Sequence, residues 1–383
     1  MFKNVKVKRI IKRTVFPAIS LLNKIIPKRD DYILLYSANG GIRHNLRPLY
    51  DYLLEHSYDS KYRIICGIES LKYKEQEKRV VFVDRYHSIF FFLRATHVYY
   101  TTGQLPIKPS KRQTVIHLDH GATNFKACGK LSKINNGEEF YFTYYAAPSE
   151  VYRKIVVAEY GCRESNVLIN GEPVLDVFFE QTKSYGLGGY KRIGIWVPTF
   201  RQSDSAGYND SSESLVPLFT PEEYADLNEK LKFFDMKLII KLHSGQNLND
   251  YDAQTFSHLE LLSDNDFVRK GYQLYLLLKQ MDFLIADYSS VFLQFLLLDK
   301  PIGFVVPDIE EYTQRRGFVF ENPLEYMPGD IIKTKEQLYH FLEDISLGKD
   351  GYMEERHRVC DKVHTYRDGK NTRRVLEFSG ITQ

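Results

Sequence analysis

From residue 32 onward, short apolar runs rich in β-formers alternate with segments whose apolar residues recur at helical spacing. Tyr32–Ala38, Tyr62–Ile68, Arg79–Val83, His97–Thr101, Thr114–Leu118 and Asn166–Ile169 read as strands, and Leu46–His56, Ser88–Ala95 and Glu150–Glu159 as helices. Most of the strand runs are continuously apolar. That pattern fits a parallel sheet with helices on both faces, which leaves no strand face to water. Gln181–Lys191, with Gly186, Gly188 and Gly189, breaks the alternation and reads as a linker. Beyond it, strands are expected at Arg192–Val197, Met236–Leu242, Phe283–Ala286 and Ile302–Val306. Helices are expected at Pro221–Phe234, Gln273–Gln280, Ser290–Leu298 and Lys335–Leu347. The expected fold class is α/β, with an N-terminal domain over 30–180, a linker over 181–191 and a C-terminal domain over 192–383, each a doubly wound sheet. Such sheets bind ligands beyond the carboxyl ends of their strands, and two domains place the expected site in a cleft between them.

Residues 1–29 follow a different pattern. On a helical wheel Val7, Ile10, Ile11, Val15, Ala18, Leu22 and Ile25 share one face, with Lys6, Arg9, Lys12, Arg13 and Lys24 mostly opposite. A basic amphipathic helix of this kind suits the interface of an anionic bilayer, and Pro17 is expected to kink or split it. A helix packed on the body with its charges solvated is the other reading of the same residues.

Charge sharpens the contrast. The 383 residues carry 52 Lys and Arg against 49 Asp and Glu, yet residues 1–29 hold nine basic side chains and no acidic one. The remainder stands at 43 against 49, a body of −6 that excludes a general nucleic-acid binder. With 43% hydrophobic and 26% charged residues, disorder is excluded as well. Cys66, Cys128, Cys162 and Cys360 are too scattered for a disulfide framework or a cysteine zinc site, and favour a reducing compartment. No apolar run reaches the roughly 18–20 residues of a membrane span, and the leader lacks the features of a secretory signal. A peripheral protein on the cytoplasmic side follows.

Four strand ends carry residues capable of chemistry. His120, after Asp119, can act as general base on a hydroxyl, although a histidine in this setting is also a common turn residue. A dyad with Asp119 is not guaranteed, because neighbours on a strand point to opposite faces. Arg201 can clamp a phosphate in bidentate fashion, or be a surface arginine. Lys241 and His243 close a further strand before Ser244 and Gly245. Asp287, Ser289 and Ser290 lead into a helix that either serine could cap and whose start could receive an anion. No carboxylate pair, Walker loop, dinucleotide fingerprint or metal-ligand spacing competes with them. The set suits phosphate binding and proton abstraction, without requiring a metal or cofactor.

These residues also lie in recognisable segments. Asp287-Tyr288-Ser289-Ser290-Val291-Phe292, Leu298-Asp299-Lys300-Pro301-Ile302 and Pro307-Asp308-Ile309-Glu310-Glu311-Tyr312 resemble the signature of the CDP-glycerol glycerophosphotransferase family of teichoic acid synthesis. Arg316-Gly317-Phe318 and Pro328-Gly329 continue the likeness. His120-Gly121 with Lys126, Gly171-Glu172-Pro173 with Asp176, Pro198-Thr199-Phe200-Arg201, Lys241-Leu242-His243 and Asp368-Gly369-Lys370-Asn371 with Arg373 and Arg374 follow the family in matching order. Asp119, Ala122, Ser244 and Gln294 depart from it, where an aromatic residue, Thr, Pro and Asp are usual.

The resemblance implies a GT-B-like fold of two Rossmann-like domains facing a cleft, on the cytoplasmic face of the cell membrane. It implies transfer of glycerol phosphate from CDP-glycerol to a lipid-linked glycan or polyol-phosphate acceptor, with release of CMP. His120 would be the base; Arg201, His243, Ser289 and Ser290, with Lys241, would hold the donor phosphates. Asp119, Lys126, Asp287 and Arg316 complete the candidates. CDP-ribitol as donor, a GT-B glycosyltransferase and a non-catalytic membrane-binding relative are the alternatives.

Overall fold

The computed structural model describes residues 5–120, 124–132, 140–181, 184–203, 208–243 and 256–382, with side chains from 14 onward except those of 202–203 and 208–209. The chain divides into two compact units, each assembled from more than one stretch of sequence.

The first unit opens with helix α1 (Val5–Ile25) and strand β1 (Arg29–Tyr36). It continues through α2 (Leu46–Glu55), β2 (Arg63–Gly67), β3 (Val81–Val83), α3 (Arg85–Phe92), β4 (Ala95–Tyr100), β5 (Thr114–His117), β6 (Tyr144–Ala147), α4 (Glu150–Tyr160) and β7 (Val167–Ile169). All seven strands pair in parallel, in the order β3-β2-β1-β4-β5-β6-β7. The continuous apolar run in β1 has a clear purpose. Ile33 and Leu35 pack with Leu46, Leu49 and Leu53 of α2, whereas Leu34 and Tyr36 pack with Phe92, Val98 and Val115 on the other face. Each fully buried aliphatic side chain contributes about 1.5–3 kcal/mol. β6 is not marked in the sequence pattern, since Tyr-Tyr-Ala-Ala is too short to show a period.

Helix α1 continues through Pro17 from Val5 to Ile25, so of the expected kink or split the split does not occur. Tertiary anchoring offsets the missing backbone donor: Phe16 and Ile19 pack on the core, and the buried Asn23 amide donates to Lys108 O (3.0 Å) and Gln113 Oε1 (2.7 Å). The packed face is therefore Phe16, Ile19, Ser20 and Asn23, while Val15, Ala18, Leu22 and Ile25 of the expected apolar face are exposed. The side chains of Lys6, Val7, Arg9, Ile10, Ile11, Lys12 and Arg13 lie outside the described residues. Lys28, counted with the leader's surface charges, instead donates to Asn23 O, Asn23 Oδ1 and Leu93 O, and burial beside Arg94 lowers its pKa to about 8.

The second unit contains β8 (Arg192–Trp196), a hairpin of β9 (Gln202–Ser203) and β10 (Tyr208–Asn209), α5 (Tyr224–Phe233), β11 (Met236–Lys241), β12 (Leu259–Leu262), α6 (Asp264–Arg269), α7 (Leu274–Gln280) and β13 (Phe283–Ala286). α8 (Val291–Phe295), β14 (Ile302–Val305), α9 (Ile309–Arg315), β15 (Asp330–Ile332), α10 (Lys335–Leu347) and α11 (Met353–Val363) complete it. Its parallel sheet has the order β12-β11-β8-β13-β14-β15. Gly194 in β8 makes room for the Phe283 ring, which would lie 2.1 Å from a Cβ at that position.

The chain divides differently from the expected 30–180, 181–191 and 192–383 in three places. The units meet along the chain at Asp176 and Val177, ahead of the glycine-rich stretch, and the last residues return to the first unit. There α12 (Asn371–Phe378) buries Val375 and Leu376 with the α2 core, and Asp176 accepts from the backbone N–H groups of Asn371 (2.9 Å) and Thr372 (2.8 Å). Gly171 takes φ 75° against the Asn371 side chain, so a Cβ would come within 2.1 Å of its amide oxygen. Residues 124–132, expected in the N-terminal domain, belong to the second unit. Phe125 packs on Phe292 and Phe318 there, and Ala127 N–H donates to Gly317 O (3.0 Å).

Candidate active site

In both sheets the strand order reverses next to the first strand of the unit, between β1 and β4 and between β8 and β13. The loops beyond such a reversal diverge and leave room for a ligand.

At the first unit's edge, β5 ends at His117 and the chain turns through Asp119 in the left-handed region, φ 54°. That turn cancels the strand alternation and brings Asp119 and His120 together. Asp119 Oδ1 accepts from His120 N–H (2.6 Å) and is in close contact with His120 Nδ1. Its Oδ2 accepts from the hydroxyls of Tyr145 (2.7 Å) and Tyr160 (3.1 Å). Burial alone would raise the Asp119 pKa, but His120, His117 and Tyr145 outweigh it and hold the carboxyl well below the usual range. A permanent carboxylate at Nδ1 keeps the proton there and leaves Nε2 as the basic atom. The His120 side chain is 62% exposed, against 5% for Asp119. This is an oriented imidazole on a buried anion. Tyr145 and Tyr160 had no sequence signal of their own.

At the second unit's edge, Asp287 takes up its hydrogen bonds inside the fold. It accepts from Thr199 N–H (2.8 Å), Thr199 Oγ1 (2.5 Å), Ser289 N–H (3.0 Å) and Arg201 (2.6 Å). Arg201 is 1% exposed and also donates to Asp308 at 2.8 Å, where Tyr288 and Ser211 donate too. The phosphate clamp expected at Arg201 involves donors that here engage Asp287, Asp308 and Thr199 O. These bonds tie the β8 and β13 loops together. Burial disfavours the Arg201 charge, but Asp287 and Asp308 more than compensate and raise its pKa. Lys241 is diverted likewise: it pairs with Asp264 at 3.0 Å and stands over the Phe267 ring.

Ser290 stands at the N-cap of α8 but makes no side-chain capping hydrogen bond, Ser289 donates its N–H to Asp287, and both serines remain partly exposed. His243 is exposed at the end of β11, with its ring 5.1 Å from that of Phe200. Lys126 lies in the field of Asp287, Asp210 and Arg316, and makes no hydrogen bond to a described residue. Burial lowers its pKa and Asp287 counters this. Burial raises the Asp210 carboxyl, opposed by Arg316 and Lys126. Gln294 is buried and accepts from Tyr275 OH (2.8 Å), so this departure from the family pattern is a packing feature. Gly121, Ala122, Ser244 and Gly245 lie outside the described residues. Among the described residues no group of three metal-ligating side chains gathers, and no helix is long and apolar enough to cross a membrane.

Two doubly wound units, one carrying an oriented histidine and the other a serine, histidine and lysine edge, define an α/β protein equipped to take a proton and hold an anion. The sequence profile of the CDP-glycerol:poly(glycerophosphate) glycerophosphotransferase family matches residues 18–378, and the chain belongs to that family. It is 25% identical over 410 residues to the teichoic acid ribitol-phosphate primase of Bacillus spizizenii, covering 97% of this chain and 96% of that one. It is 28% identical over 244 residues to the teichoic acid glycerol-phosphate primase of Bacillus subtilis, covering 62% and 57% of the two. Its fold is similar to that of the wall teichoic acid polymerase TagF, with a TM-score of 0.73 at 19% identity over 98% of this chain and 95% of that one.

Proposed function

We propose that the protein transfers glycerol phosphate from CDP-glycerol to a hydroxyl of a lipid-linked acceptor in teichoic acid or related cell-surface polymer synthesis. The observation that carries this reading is the Asp119–His120 dyad at the carboxyl edge of a sheet in a chain of this family. His120 Nε2 takes the acceptor proton, and Asp119 stabilises the imidazolium that forms. The acceptor oxygen then bonds to the glycerol-bearing phosphorus of the donor while the bond from that phosphorus to CMP breaks. Ser289, Ser290, His243 and Lys126 hold the donor phosphates and neutralise the charge that gathers on CMP. Phosphoryl transfer asks chiefly for positioning and charge stabilisation, so this set suffices. Each unit is the doubly wound kind from which GT-B enzymes are built, which supports a GT-B-like reading.

The similarity to a ribitol-phosphate primase over nearly the full length of both chains favours CDP-ribitol as the second reading. The exposed Val15, Leu21, Leu22 and Ile25 of α1 support a peripheral position on an anionic membrane, at its cytoplasmic face. The test is CMP release from CDP-glycerol and from CDP-ribitol with lipid-linked acceptor analogues. Turnover of one donor alone identifies the polyol, and no CMP from any pair overturns the enzymatic reading.

A further inference from the structure

The loop between β1 and α2 occupies the first unit's topological switch point and carries a second histidine. His44 sits in the left-handed region at φ 51°, exposed, with its ring 6.1 Å from that of His120 and turned 74° to it. The spacing is fixed by the next residue. Asn45, fully buried, donates to Leu118 O (2.8 Å) and Asp119 O (3.2 Å) and accepts from Val174 N–H (3.0 Å). It leaves α2 without a side-chain cap and bolts the His44 loop to the strand end that carries the dyad. Gly40 and Glu69 pin the loop's other end, through Gly40 N–H to Glu69 Oε2 (3.0 Å) and Glu69 N–H to Gly40 O (3.2 Å). Arg43 is exposed beside His44, and Ser37–Asn45 contains no acidic residue.

An imidazole on an anchored loop beside an oriented base, with an exposed guanidinium on the preceding residue, makes a subsite for an oxyanion. We propose that His44, with Arg43, binds the phosphate of the acceptor while the acceptor's hydroxyl meets His120. This rests on the acceptor-side role given to His120 above. The separation of the two rings is one that a three-carbon polyol phosphate spans between its terminal hydroxyl and its phosphate. The subsite therefore selects acceptors that carry a phosphate near the reacting hydroxyl over neutral ones.

The test uses the full chain and His44→Asn, since asparagine tolerates the left-handed backbone. CMP release is measured against the octyl ester of glycerol 3-phosphate and against neutral octyl glycerol, with whichever CDP-polyol the protein turns over. The expected result is a KM for the phosphorylated acceptor about tenfold higher, the factor given by one charge-assisted hydrogen bond. The kcat, the donor KM, the KM for the neutral acceptor and the melting temperature should stay near wild type. Equal losses on both acceptors, a raised donor KM or an unchanged KM each overturn the proposal. A chain that releases no CMP with any substrate pair overturns the transferase reading instead. In that case the imidazole NMR signals of His44 decide: a shift with glycerol 3-phosphate and none with glycerol upholds the phosphate subsite, and no shift with either overturns it.

Discussion

Asp119→Asn is the sharpest perturbation of the proposed chemistry, because the side chain keeps its shape and loses its charge. In the wild type, Oδ1 faces both His120 N–H and Nδ1, and Oδ2 receives two tyrosine hydroxyls. An asparagine has two ways to fit. With its oxygen toward His120, the Nδ1–H bond survives as a neutral one, but the imidazolium formed during transfer has no counter-charge. With its nitrogen there, Nδ1 must become the acceptor and Nε2 carries the proton, which removes the base. A hydrogen bond to a charged group contributes about 1.5–3 kcal/mol, and the tautomer penalty adds to it, so kcat should fall roughly a hundredfold to ten-thousandfold. The assay is single-turnover CMP release with donor binding measured separately, and donor affinity should change less than about threefold. The carboxyl's depressed pKa also makes a stability claim. Its contribution is present above the ordinary carboxylate pKa of about 4 and is lost only as pH falls through the lowered folded-state value. Denaturation midpoints of wild type and variant should therefore differ by a constant amount above about pH 5 and converge in strong acid. A variant with wild-type kcat would refute the dyad as the source of the base.

Further outcomes test the other candidate residues. Arg201→Met leaves Asp287 and Asp308 buried without their cation, so it should lower stability by about 3–5 kcal/mol in urea denaturation. Lost donor binding at unchanged stability would restore the direct phosphate role. Lys126→Met should raise the donor KM about tenfold with little change in melting temperature, because the ammonium supports no described hydrogen bond. An unchanged donor KM would remove Lys126 from the donor site. Replacing Val15, Leu22 and Ile25 by serine should abolish sedimentation with anionic vesicles while leaving CMP release from soluble acceptors intact, and undiminished sedimentation would count against α1 as the docking element.

Much of the fold was legible because parallel strands buried on both faces announce themselves as unbroken apolar runs. Lys335–Leu347 matches its helix to the residue, since Thr334 and Gln337 form a capping box and Gly348 ends it in the left-handed region. The sheet strands that escaped notice, among them Tyr144–Ala147, Leu259–Leu262 and Asp330–Ile332, are short and lack flanking signals that mark a strand. The site was legible as a set of residues and less so as roles. His120 and His243 reach the surface at strand ends. Arg201 and Lys241 sit at equivalent places yet turn inward, because the carboxylates that hold them come from Asp287, Asp308 and Asp264, too far along the chain for local pattern to reveal. The Asp119 turn was the hardest to foresee. One left-handed residue reverses the strand rule, and bonds from Thr101, Asn45, Tyr145 and Tyr160, distant in sequence, help hold it there.

The return of residues 364–383 to the first unit has a consequence for how the chain is made. The second unit is drawn almost wholly from Val177–Val363, so its residues all leave the ribosome ahead of residues 364–383. The first unit must wait. Its α2 core lacks Val375, Leu376 and Ile381, and Asp176 lacks the N–H groups it caps, until residues 364–383 emerge. The half that carries His120 thus becomes whole only once residues 364–383 have folded back onto it, and a prematurely ended chain would leave that half, and not the other, incomplete.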